Sequence, residues 1–80
     1  METYIKIEKM INDVKEWNQE AGNALHRQMH SAQNSYWTKD DLAEHIKSEN
    51  DVADEHYPEG DSRHAEIREI QDAIIGFYGE

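Results

Sequence analysis

Residues 4–31, YIKIEKMINDVKEWNQEAGNALHRQMHS, decide the fold. Apolar or small residues fall at Ile7, Met10, Val14, Trp17, Ala21 and Ala24, in steps of 3, 4, 3, 4 and 3. Steps of three and four keep side chains on one side of an α-helix, so the pattern predicts a helix with a core-facing stripe. Ile11, Leu25 and Met29 widen that stripe beyond a coiled-coil seam, while Lys6, Lys9, Asp13, Glu16, Glu20 and Arg27 fall largely opposite. Thr3 is the expected N-cap, because a threonine hydroxyl can accept from a free amide of the first turn. The prediction is one helix over about residues 4–31. Its weak point is Gly22-Asn23, which costs about 1 kcal/mol or more of helix propensity relative to alanine. Two alternatives attach to that stretch: a kink or break near Gly22, and a close approach of another helix at Ala21, Gly22 and Ala24.

Downstream, Gln33-Asn34-Ser35 reads as a connection into Tyr36-Trp37-Thr38-Lys39-Asp40-Asp41-Leu42. Thr38 and Asp41 have capping-box spacing, and Trp37 and Leu42 have the spacing of a hydrophobic staple. Asp40 and Asp41 complement the helix dipole. A second helix over about 39–49, burying Leu42 and Ile46, is expected. Residues 50–61 are crowded with acids, Pro58 and Gly60 and read as a loop pinned by Val52 and Tyr57. A third helix over about 62–78 is capped by Asp61 or Ser62 and presents Ile67, Ile70, Ile74 and Phe77 on one stripe, with Ile75 and Tyr78 pointing away. Gly79 stands where a left-handed helix end is expected. Residues 1–80 thus read as a single all-α domain, a small three-helix unit with a long N-terminal helix.

Eighty residues with 36% hydrophobic types make a small core, and the absence of cysteine removes disulfides and thiolate metal sites as staples. Assembly as a helical homo-oligomer is therefore expected. The net charge of −10 is uneven: residues 1–37 hold five acids and four bases, whereas residues 38–80 hold thirteen acids and four bases. Such a field repels nucleic acid and anionic membranes and draws in a basic partner. No run of about 18 apolar residues and no signal-peptide layout occurs, so a cytoplasmic location is expected.

Enzymatic chemistry has little to stand on, with no Gly-x-Ser-x-Gly elbow and no glycine-rich phosphate loop. No cofactor is implied. His26 and His30 are four apart and share a helical face, a spacing used in helical metal sites, and Asp41 and His45 repeat it. These are weak ligand candidates, because no third ligand is evident in the sequence. The leading expectation is a small acidic non-enzymatic inhibitor or adaptor that meets a basic, nucleic-acid-binding or defence-type partner through Glu66, Glu69, Asp72, Ile75 and Tyr78. A second expectation is a nucleotide-like anion held at the second helix by Tyr36, Trp37, Thr38 and Lys39 with Arg27, through free amides and stacking. A histidine/carboxylate metal-stabilised protein comes third.

Overall fold

The computed structural model describes residues 2–80, and the side chains from Tyr4 onward. All of the described secondary structure is helical: α1 (Glu2–Trp17), α2 (Gln19–Asn34), α3 (Lys39–Glu44), α4 (Val52–His56) and α5 (Ser62–Tyr78). A single wide π-type turn, His45–Glu49, continues α3. No described helix is long and apolar enough to cross a membrane.

The expected single helix over 4–31 is two helices, folded back on each other. Asn18 makes the break. Its amide closes α1 on the Val14 carbonyl at 2.7 Å, and its own backbone is extended (φ −157°, ψ 91°). Its Oδ1 then accepts from the Ala21 amide at 3.0 Å and caps α2. The break therefore lies four residues before Gly22, and Gly22 serves the close approach instead. A Cβ added there would fall 2.3 Å from Lys15 Cγ and 2.9 Å from the Lys15 backbone nitrogen, so only glycine lets α1 and α2 come together at this height. Folding the stripe over on itself buries Ile7, Ile11 and Val14 of α1 with Ala21, Leu25 and Met29 of α2. A straight helix would leave half of that surface to a second chain. Thr3 lies inside α1 rather than at its N-cap.

The second expected helix spans its predicted length, although its last five residues widen into the π-type turn. Thr38 Oγ1 accepts from the Asp41 amide at 3.1 Å, as the capping spacing predicts. The Trp37 ring stacks on His45 (centroids 4.9 Å apart), and its indole N–H donates to the Ser31 carbonyl at 3.1 Å. The wide turn has a visible cause in its partners. Nε2 of Gln28 and of Gln71 both donate to the Ile46 carbonyl, at 3.5 Å each, and Gln28 also donates to the Asn50 carbonyl at 2.7 Å. Side-chain donors thus meet one carbonyl within the wide turn, Ile46, and one just after it, Asn50.

The predicted loop over 50–61 contains α4. Five residues are too few to show a periodicity, and this helix is set by docking: Val52 and Ala53 are fully buried, and Asp51 caps the turn from Oδ1 to the Asp54 amide at 3.4 Å. α5 packs against every other element, so it is the centre of the fold. Asp61 caps it, accepting from the Arg63 amide at 2.8 Å. Its buried stripe is Ile67, Ile70, Gln71 and Ile74, and it continues to the half-buried Tyr78 while Phe77 is 42% exposed. The sequence reading had Phe77 inside and Tyr78 outside; a 3.6-residue period leaving Ile74 reaches either position, and the neighbouring Gln33 side chain selects Tyr78 by donating to its hydroxyl at 2.9 Å. Gly79 is not left-handed (φ −76°). It is needed because a Cβ would sit 2.9 Å from Lys39 Cα, where the tail lies against the start of α3: Glu80 donates its amide to the Trp37 carbonyl (3.0 Å), and Lys39 donates to the Glu80 carbonyl (3.3 Å). The radius of gyration, 11.5 Å, equals the about 11.6 Å of a compact 80-residue chain.

Candidate interaction surface

The five residues expected to meet a basic partner do not form one patch. Glu66 and Glu69 are exposed on α5 and face α1 across a notch of about 90 Å³, whose other walls are Met10, Asp13, Val14 and Ile70. Asp72 is on the same helix but is spent on Lys47, 2.5 Å away. Ile75 and Tyr78 are half-buried against the core, and burial pushes the Tyr78 phenol above its ordinary pKa. The residue that sequence reasoning missed is Asp13, which lies on the polar side of α1. Nothing in a linear pattern says that this side faces α5.

The notch pairs an apolar floor with an acidic rim. Among the described residues, no lysine or arginine lies within 4 Å of Asp13, Glu66 or Glu69, the reach of every ion pair found elsewhere. Arg63 and Arg68 of α5 are engaged otherwise, while Lys9, one turn before Asp13 on α1, is exposed and forms none of these ion pairs. Arg63 lies over the Trp17 ring at 4.3 Å, and Trp17 in turn meets Tyr57 edge-on. Arg68 bridges Asp51 (2.9 Å) and Asp54 (3.4 Å). Asp54 also meets the buried His64, whose Nε2 is 2.7 Å from Oδ1, and this hydrogen bond is the main reason its carboxyl lies below the usual range. Asp51 and Asp54 are therefore internal fasteners, whereas the acids of the α1–α5 notch face outward and form no ion pair among the described residues.

The residues of the expected anion site are scattered in their duties. Thr38 caps, Trp37 is held by Ser31 and His45, the Lys39 amide is bonded to Glu80, and Tyr36 is 77% exposed. Arg27 borders a different concavity, a groove of about 490 Å³ between α2 and α4 that also contains Gln28, Ser31, His45, Asn50 and His56. None of Tyr36, Trp37, Thr38 or Lys39 lines it.

The His26 and His30 rings do lie together, 4.8 Å apart. Lys15 Nζ sits 3.1 Å from His26 Nδ1, and Glu8 is 4.0 Å from Nε2. Partial burial, then Lys15 and His30, hold the His26 pKa below its ordinary value against the opposing pull of Glu8. Among the described residues, no three histidine or carboxylate side chains converge as a metal-binding group. Compared with known families, curated proteins and solved structures, the chain matches none.

Proposed function

We propose that this chain is a small acidic, non-enzymatic binding protein, an inhibitor or adaptor, whose α1–α5 face takes a basic surface of a cytoplasmic nucleic-acid-binding or defence-type partner. The observation that carries the reading is the unpaired trio Asp13, Glu66 and Glu69 around Met10, Val14 and Ile70. An arginine or lysine has both halves of the complement: an aliphatic stem for the apolar floor and a cationic head for the rim. The surrounding charge, −10 for the chain, accelerates encounter with such a partner. The test uses a fluorescent arginine-rich peptide and its affinity as a function of salt. Joint Asp13→Asn, Glu66→Gln and Glu69→Gln should weaken binding at least about tenfold, equivalent to about 1.4 kcal/mol. The same charge change at Asp40, Asp41 and Glu44 should do much less. Equal losses from both sets would reduce the reading to diffuse attraction.

A second reading is favoured by the α2–α4 groove, whose size is that of small-molecule sites and whose lining sets Arg27, His45 and His56 beside the carboxylates Glu20 and Glu55. There the ligand is a nucleotide-like anion. Thermal shift against a nucleotide panel tests it, since a ligand at about 100 times its dissociation constant stabilises by about 2.7 kcal/mol. An unchanged melting temperature throughout, again unchanged in Arg27→Ala, would remove it.

A further inference from the structure

The seam that forms the acidic notch continues past Asp13 and Glu66. One turn further on, α1 and α5 meet again through Trp17 and Arg63. Trp17 follows Asp13 by one turn of α1, and Arg63 precedes Glu66 by one turn of α5. Residues three or four apart on a helix are neighbours at about 5–6 Å, so the indole lies beside the acidic rim.

The Arg63 guanidinium covers this indole, 4.3 Å from the ring centre. Tyr57 meets the same indole edge-on at 5.7 Å, and Asn18 Nδ2 donates to the Tyr57 hydroxyl at 3.2 Å. The ring is thus held in place by neighbours other than Arg63. Arg63 itself is exposed and, among the described residues, forms no ion pair, although Glu66 stands one turn away. Arg68, by contrast, is clasped by two carboxylates. A cation over an exposed aromatic face is held weakly, by about two- to fivefold in an equilibrium. A guanidinium already on the ring identifies the chemistry the ring accepts, and the hold is loose enough for another guanidinium to replace it.

We infer that the Trp17 indole face is a second cation seat beside the acidic notch, kept in cis by Arg63 and given up to an arginine of a basic partner. The inference rests on the basic-partner reading and adds a pattern to it. One arginine enters the notch and the next lies on Trp17, about one helical turn away. Alternate residues of an extended segment point to one side at a spacing of about 6.6 Å, which matches. The partner segment is therefore an extended Arg-x-Arg.

Titration of a Gly-Arg-Gly-Arg-Gly peptide into isotopically labelled protein, followed by nuclear magnetic resonance, tests this. The ring current of an indole shields protons stacked on its face, so the Arg63 side-chain protons start displaced upfield. The peptide should return them towards ordinary positions while the Asp13 and Glu66 amides also shift. Arg63→Gln vacates the ring and should tighten the peptide about two- to fivefold, with helicity by circular dichroism unchanged. Lys39→Gln makes the same charge change at the other end of α5, against Gly79, and should tighten it by less. Trp17→Leu should cancel the gain from Arg63→Gln; Trp17 also packs on the core, so if that variant unfolds the Arg63 resonances decide. A peptide that shifts Asp13 and Glu66 while Arg63 stays upfield overturns the second seat and leaves the acidic notch standing. So does an affinity in Arg63→Gln no higher than in Lys39→Gln. A peptide that shifts none of these residues overturns both readings.

Discussion

The two joints of this molecule are built on opposite principles. At Trp17–Gly22, one residue turns the chain: Asn18 closes α1, caps α2, and a missing Cβ lets Lys15 lie against Gly22. Between α3 and α5 the chain takes residues 45–61, and polar bonds do the fastening. Gln28 and Gln71 hold the wide turn, and Asp51, Asp54, His64 and Arg68 clasp α4 to α5. The first joint is set by the steric fit at Gly22 and one side-chain cap. The second is electrostatic and leaves the Gln28 and Gln71 Oε1 atoms buried without a partner among the described residues, an arrangement that a bound water can complete. A short joint held by shape should fail through single atoms added, and a long joint held by charge through partners removed.

The largest expected effect is at the polar joint. Asp51→Ala removes the α4 cap, the close ion pair to Arg68 and an acceptor for Gln71, and should lower the unfolding free energy in urea by about 2–3 kcal/mol. A loss below about 0.5 kcal/mol would mean that the buried Val52 and Ala53 hold α4 alone. Next comes Gly22→Ala. On a straight helix the change would stabilise by about 1 kcal/mol, but against Lys15 it should destabilise by about 1–3 kcal/mol through overpacking. The sign of that one number separates the hairpin from the continuous helix. Asn18→Ala should cost about 1 kcal/mol through the lost cap, and Asn18→Gly less.

Acid should separate the joints with the smallest signal. His26, beside the hairpin, has a depressed folded pKa, so the unfolded chain binds the proton better. Its contribution is intact above its ordinary value of 6.5 and falls as the pH drops from there towards the folded value. Asp54, in the clasp, is also depressed, and its contribution falls only as the pH drops below its ordinary 3.8. Melting temperatures should thus show an upper slope that His26→Gln removes and a lower one that Asp54→Asn removes. An upper slope surviving in His26→Gln would place it on another histidine.

Much of this was legible in the residues themselves. The Thr38 cap, the isoleucine stripe of α5 and the helical class follow from short-range spacing, and the structure keeps all three. The close approach at Gly22 was legible as a possibility, though not its partner. The break at Asn18 was hidden because the 3-4 stripe runs through it without a missed step; the apolar period is the same whether the helix continues or folds back. α4 was hidden by its length. The notch was half legible: Glu66 and Glu69 stood out as acids on one helix, while Asp13 joined them only when α1 packed beside α5.

Sequence alone determined the helical class, the cap at Thr38, the choice of Asp61 or Ser62 as the cap of α5, the acidic second half and most of the core, because each depends on interactions within a few residues or on composition. Tertiary structure decided which of Phe77 and Tyr78 is covered, that α1 and α2 form a hairpin, and which carboxylates stay unpaired. Those outcomes turn on contacts between residues far apart in the chain. Helical periodicity specifies a side chain's angle about its own axis, and only packing specifies what stands opposite.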